Sequence, residues 1–392
     1  MRPEARSAAA PEAPATAAIF GAFLKLGLTA FGGPAIIPHI RELAVARHKW
    51  LDGESFKEGV VLSQSIPGAT AMQVAAYVGL KSRGVRGAAA AFIGLGFPAF
   101  ILMLLLSEFY RGARTAAPVV ALFSGLQVVV VALVAQAAYS FGKDLVKDVR
   151  CSLISVISAA VLLLNGDPFL LIVGCALAGV LIFRDVAPSS PPDGISRSGN
   201  GAVTAAAIAL CAVGLLLLKL GNPPLCSLSL LMMRINLFAF GGGLSALPLM
   251  HHEMVSRGWM ESRAFLDGIA LGQVTPGPIS ITGTFIGYLL FGPGGAAVTT
   301  IATFLPSFLL LIFSEPYMQK LKGSRFFASA SRGIISCFLG LLFYAAYRFA
   351  SEISWDWARA LLAMAAFAAL LRKVDVLVVV LVGSLFALAL LR

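Results

Sequence analysis

Lys25 and Arg234 each stand six residues before the phenylalanine of a Phe-Gly-Gly triplet, Phe31-Gly32-Gly33 and Phe240-Gly241-Gly242. Both cations lie in apolar surroundings, where a charge is costly and needs a reason. Two cations meeting near a pseudo-twofold axis would attract an anion and repel cations. The plainer alternative is snorkelling, since each lies within reach of a helix end and its head could extend to lipid headgroups. Thirty-six residues beyond each Phe come Pro67-Gly68 and Pro276-Gly277. A turn at either dipeptide would start a new half-helix, whose free N–H groups and positive dipole end favour an oxyanion without a side-chain charge. Ser63, Gln64, Ser65, Thr70 and Gln73 add donors at the first break, and Gln273, Thr275, Ser280 and Thr282 at the second. The expected anion-contacting set is therefore Lys25, Gly32, Gly33, Gln64, Ser65, Pro67, Gly68 and Thr70, with Arg234, Gly241, Gly242, Gln273, Thr275, Pro276, Gly277 and Ser280. The competing reading is a pair of Gly-lubricated kinks whose hydroxyls bond back to the helix.

Glu42 and Glu253 occupy nearly corresponding places and are the candidates for proton coupling, although pairing with Arg41, Arg47 or Arg257 is the simpler role. His39, His251 and His252 could titrate near neutral pH, but His251-His252-Glu253 lacks the i, i+4 spacing of helical metal ligands. The five cysteines stand singly, without ligand or disulfide spacing. No GxxxxGK[ST], HExxH or GxSxG occurs. No catalytic residue, cofactor or metal is expected.

The elements that must position these residues are membrane helices. The chain has 392 residues, 58% hydrophobic and 12% charged, with a mean hydropathy of +0.88. Such a surplus of apolar surface must face lipid. The net charge of +11 comes from basic residues scattered between apolar runs rather than gathered in a stripe, which argues against nucleic acid. Unbroken apolar runs at 87–107, 115–142, 152–165, 168–183, 202–218, 295–314, 326–347, 358–371 and 376–391 read as helices in lipid. Two regions, 17–81 and 225–291, are interrupted by FGGP, IPGAT, FGGG and TPGPIS. Those interruptions predict broken or re-entrant helices, which a membrane tolerates only around a protein-lined or watery cavity.

The two broken regions repeat each other. Trp50 matches Trp259, Gln64 matches Gln273, and Pro67-Gly68 matches Pro276-Gly277, all 209 residues apart. The loop after the first copy carries Lys81, Arg83 and Arg86, whereas its counterpart at 289–294 carries no charge. Threading from there gives one set of loops 14 Lys and Arg and the opposite set 4, so the richer set should be cytoplasmic. The extra helix at 202–218 would turn the second copy upside down. The expected fold is an all-α polytopic membrane protein of two inverted-topology repeats with discontinuous helices, the architecture of secondary transporters. The expected division is a disordered tail at 1–16, a first repeat at 17–183, a linker at 184–201, a connecting helix at 202–218 and a second repeat at 225–392.

LTAFGGPAIIPHI, LSQSIPGATAMQVAAYVG, LFAFGGGLSALPLM and LGQVTPGPISITGTFIGY together resemble the chromate ion transporter family in its long, two-domain form. The resemblance covers about 17–391. It implies secondary active export of chromate from the bacterial cytoplasm, hence chromate resistance, with sulfate as a competing substrate. It also implies a multi-pass protein of the inner membrane bilayer. The first copy reads PGAT where the second reads PGPI, so the halves need not contribute equally. The alternatives are a passive anion channel and a carrier of sulfate or another oxyanion. The oligomeric state, a homodimer included, is left open.

Overall fold

A computed structural model of the chain describes residues 14–30, 36–185, 201–317 and 323–390. Gly32 and Gly33, most of the N-terminal tail and most of the linker at 184–201 lie outside the described residues. Among those described there are fifteen α-helices and no strand.

Eight elements run in the same order in each half. The first series is α1 (Thr16–Thr29), α2 (Ile36–Arg41, continued by a π-helix at Glu42–Arg47), α3 (Gly53–Ser65), the bent α4 (Thr70–Ala113), α5 (Ala117–Leu145), α6 (Val149–Leu163) and α7 (Pro168–Ile182). Counting the two arms of α4 separately gives eight. α8 (Gly201–Gly221) stands alone between the halves. The second series is α9 (Pro223–Phe238), α10 (Gly243–Ser256), α11 (Ser262–Val274), the bent α12 (Thr282–Ser314, entered through a 3-10 turn at Ile279–Ile281), α13 (Arg325–Ser351), α14 (Trp357–Leu371) and α15 (Val376–Leu390).

Local chemistry sets the starts. Asp52, Asp148, Asp167, Asn222, Ser324 and Asp356 each accept a backbone N–H in the first turn of the helix that follows, satisfying donors the helix cannot pair itself. Pro168 and Pro223 open α7 and α9, where a missing N–H does no harm. Among the described residues, four helices (α4, α5, the stretch from Ile279 to Tyr317, and α13) are long and apolar enough to cross a membrane. Leu105, Val156, Leu170, Leu210 and Leu385 are all more than half exposed, as lipid-facing residues are. The protein is an integral, multi-pass membrane protein.

Both α4 and α12 are hairpins of a short and a long arm. The break falls at Arg83 and Gly84 in α4 and at Phe291 and Gly292 in α12, with nearly equal glycine φ of 62° and 66°. The arms close tightly because Gly79 faces Gly87, and Gly287 faces Gly295, where an added Cβ would lie about 2.1 to 2.5 Å from carbonyl oxygens.

The halves interlock reciprocally. α5 packs on α14 and α15 of the other half, and its counterpart α13 packs on α6 and α7. At these contacts Gly125 meets Ala387, and Gly333 meets Gly179. Each of these pairs of counterparts stands 208 residues apart. The long arms of α4 and α12 run antiparallel: Lys81 pairs with Glu315 at one end, and Arg111 lies over the Tyr288 ring, 5.5 Å from its centroid, at the other. The end holding Lys81 also gathers Asp148, Arg150, Asp185 and Arg332, with Arg150 to Asp185 at 2.9 Å and Arg332 to Asp148 at 3.1 Å.

Candidate anion site

A cavity of about 460 Å³ opens between α3 and α13. Val61, Gln64 and Ser65 wall it on the α3 side, and Ser331, Ile335 and Phe338 on the α13 side. Between these walls come Thr70 and Ala71, which start the short arm of α4, and Gly242 and Gly243, which start α10. Neither helix has a side-chain cap, so the N–H groups of Thr70, Ala71, Gly243 and Leu244, which precede the first intrahelical bonds, stand at the cavity wall. None of the described residues lining it is charged. The chemistry on offer is two positive helix ends plus hydroxyl and amide donors, in a largely apolar pocket with no proton-transfer pair. Groups of this kind suit an anion.

The two Pro-Gly turns do a different job from the one expected of them. The Gly68 N–H donates to the Ala239 carbonyl at 2.9 Å, and the Gly277 N–H donates to the Ala30 carbonyl at 3.0 Å. Each turn of one half is thus tied to the chain just before the Phe-Gly-Gly of the other half. Gly68 and Gly277 hold φ of 123° and 115°, a region that L residues avoid. Their amides are therefore consumed in joining the repeats and are not free for an oxyanion. Pro67 and Pro276 have no N–H to give. The donors left over lie two and three residues later, on Thr70 and Ala71.

The junctions are unequal. Beside Gly68, Ser307 Oγ accepts the Ala69 N–H at 2.9 Å and donates to Asn236 Oδ1 at 2.8 Å. Gln73 Nε2 donates to the Pro67 carbonyl at 2.8 Å. Beside Gly277, the counterpart of Ser307 is Ala99, and the counterpart of Asn236 is Gly27. One junction is a polar network and the other is plain packing.

Of the residues expected at a site, the cavity brings together Gln64, Ser65, Thr70, Gly241 and Gly242. Ser65 Oγ and Thr275 Oγ1 bond back to Val61 and Gly272 of their own helices, at 2.7 and 2.9 Å. Gln273 and Ser280 are 3% and 1% exposed, each with a side-chain donor lacking a partner among the described residues. Lys25 and Arg234 are exposed and line no part of the cavity. Arg234 instead stacks on Phe169, 3.7 Å from the ring centroid. Glu42 is exposed. Glu253 is buried and paired with Arg257 at 2.7 Å.

Sequence reasoning missed Ser331, Asn236, Ser307 and Asp267. Asp267 is 7% exposed and bridges the halves, accepting from Tyr110 Oη at 2.8 Å and Gln127 Nε2 at 2.7 Å. The missed signal is that Asp267 stands 209 residues after Glu58, between the apolar stretches Ala264-Phe265-Leu266 and Ile269-Ala270-Leu271.

Residues 17–180 and 226–388 both match the Chromate transporter family model. An uncharacterised transporter of Methanocaldococcus jannaschii is 40% identical over 94% of this chain and 93% of its own. The chromate transport protein of Cupriavidus metallidurans is 30% identical over 89% and 86%, and that of Pseudomonas aeruginosa is 30% identical over 83% and 78%. No solved structure matches. With the family pattern present once in each half and covering most of the sequence, the chain belongs to the chromate transporter family.

Proposed function

We propose that the chain is a secondary active transporter that carries chromate out of the cytoplasm across a bacterial inner membrane and so confers chromate resistance. Its two repeats, 17–183 and 225–392, would lie in inverted topology, related through the odd helix α8. The observation that carries the reading is the convergence of two uncapped helix N-termini on one neutral cavity. A tetrahedral dianion there would accept N–H bonds while shedding only part of its water. The relatives named as chromate transport proteins support chromate as the substrate. Sulfate shares its shape and charge and would compete.

The antiparallel run of the α4 and α12 long arms supports the inversion. The excess of Lys and Arg on the Lys81 end supports a cytoplasmic placement of that end. The cavity opens toward the same end, since Phe141, Phe327 and Ser331 line it close to the loops that carry those charges. Thr70 sits about 18 Å below the α4 hairpin tip, at 1.5 Å per helical residue. The site is thus deep and faces the compartment from which export draws.

Membrane potential suffices as a driving force. Expelling two negative charges across about 100 mV, inside negative, gains roughly 4.6 kcal/mol, a gradient above a thousandfold. Proton coupling through Glu42 or Glu253 is not required, and the ion pair of Glu253 with Arg257 favours a structural role there. The direct packing of α11 on α5, bonded through Asp267 to Gln127, supports a carrier over an open channel.

Equilibrium binding of chromate to the purified protein tests this reading. Ala71→Pro removes one N–H from the first turn of α4, a position where proline fits, and Thr70→Val removes the adjacent hydroxyl. Each should weaken binding about ten- to a hundredfold, as expected for loss of a charge-assisted contact of about 1.5–3 kcal/mol. Unchanged affinity in both folded variants would remove the cavity from consideration as the anion site.

A further inference from the structure

The open cavity has a counterpart that is shut. By the repeat, α3 and α13 correspond to α11 and α5. The cavity parts the first pair, whereas α11 packs directly on α5. Position by position the contrast is sharp. Val61 is 43% exposed in the cavity wall, while its counterpart Ala270 is 1% exposed. Gln64 is exposed at the cavity, while Gln273 is 3% exposed, with its amide nitrogen unpartnered among the described residues. Ile335 lines the cavity, and its counterpart is Gln127, which donates to Asp267 at 2.7 Å.

We propose that a second vestibule for the same oxyanion, equivalent to the open cavity and facing the opposite side of the membrane, lies folded between α11 and α5 and is sealed by Asp267. Two copies of one arrangement, one parted and one closed, are what a rocking carrier shows in a single end state. Exchanging the two conformations closes α3 on α13 and parts α11 from α5, so the anion is released on the far side. This rests on the transport reading above.

The seal has identifiable parts. Asp267 Oδ2 accepts from Tyr110 on the long arm of α4, and Oδ1 accepts from Gln127 on α5. One carboxylate of the second half therefore clips two helices of the first. Tyr110 is held in turn by edge-on contacts with Phe123 and Phe285, at centroid distances of 5.1 and 5.2 Å. The seal lies toward the end of the molecule marked by Arg111 and Tyr288, opposite the mouth of the cavity. Its counterpart carboxylate, Glu58, is half-buried and has no such clip among the described residues, since Ile335 stands where Gln127 would be. When α11 parts from α5, the buried donor of Gln273 becomes the vestibule's equivalent of Gln64.

Cysteine accessibility in right-side-out and inside-out vesicles tests the proposal, with a membrane-impermeant maleimide as probe. Four of the five native cysteines are buried and one is half-buried, so the unsubstituted chain supplies the background. Val61→Cys should label from the cytoplasmic side, and Ala270→Cys should stay silent. Adding Asp267→Ala, or the milder Tyr110→Phe, should raise labelling of Ala270→Cys at least tenfold from the outer side and lower that of Val61→Cys. Strong labelling of Val61→Cys in the intact background shows that the chain has folded. Continued silence of Ala270→Cys in both seal variants would overturn the proposal, as would labelling of both cysteines from one side. If the labelling exchanges sides but chromate neither binds nor changes the exchange, the substrate assignment fails while the second vestibule stands.

Discussion

The Gly68 amide donates to the Ala239 carbonyl at 2.9 Å, and the same bond recurs 209 residues later from Gly277 to Ala30. A Pro-Gly turn of each half is thereby fastened to the approach of the glycine triplet in the other. Reciprocity of this kind is what a closed twofold contact produces. It also explains why glycine is needed at the turn. A Cβ at position 68 would stand 2.2 Å from Ser307 Oγ, and one at 277 would stand 2.8 Å from Ala99 Cβ.

Gly277→Ala should therefore destabilise the protein through two separable causes, the clash and the positive φ, each about 1–3 kcal/mol. Adding Ala99→Gly removes the clash alone. Thermal unfolding in detergent should show partial recovery in the double variant. Full recovery would mean that backbone strain contributes nothing, and no recovery that the Ala99 contact does not matter.

Asn236 and Ser307 act as a unit, because Ser307 bridges Asn236 to the Ala69 N–H. Ser307→Ala should cost about 1–3 kcal/mol by leaving buried groups unpaired. The double variant Asn236→Ala, Ser307→Ala should cost clearly less than the sum of the singles. Additive losses in chemical unfolding would contradict a shared network.

Lys25→Gln and Arg234→Gln should leave chromate affinity within about threefold of the parent, since surface charges that touch no ligand act only through screened, long-range fields. Both side chains are exposed and outside the cavity. Isothermal titration of the single and double variants checks this. A tenfold loss would restore the two cations to the site.

Asp148 caps α6, and its hydrogen bond from Arg150 holds its carboxyl below the usual carboxylate range, with Arg332 adding to the effect. A depressed carboxylate stabilises the fold above its unfolded value, about 3.9, and loses that contribution as pH falls through the lower folded value. Melting temperatures measured from pH 6 down to pH 3 should therefore fall more steeply in the parent than in Asp148→Asn. Parallel curves would show that the cluster adds nothing.

Much of the architecture was legible because membrane helices must satisfy their own backbone, so apolar length and Gly-Pro breaks carry the signal. The hairpin tips fell at Arg83-Gly84 and Phe291-Gly292, inside the two loops whose charges differ in the sequence. Gln64, Thr70 and Gly242 were readable as cavity residues because they flank breaks. The fate of the Gly68 and Gly277 amides was not, since a local turn does not reveal a hydrogen-bond acceptor some 170 to 250 residues away in the sequence. The two cations show a related limit. Equal spacing from Phe31 and Phe240 fixes a position along the helix, but not which face turns inward, and Arg234 turns toward Phe169. Asp267 closes the polar stretch 249–267, and nothing in that stretch shows that its carboxylate is buried against Tyr110 and Gln127 of the other half.

Transport by inside-out vesicles tests the central claim most directly. With an imposed interior-positive potential, vesicles bearing the protein should accumulate labelled chromate far above control vesicles, and Ala71→Pro should abolish most of the uptake. Excess sulfate outside should slow it. Collapse of the potential should reduce the final gradient in proportion. Uptake that matches control vesicles, or that proceeds equally in Ala71→Pro, would contradict export through the cavity between α3 and α13.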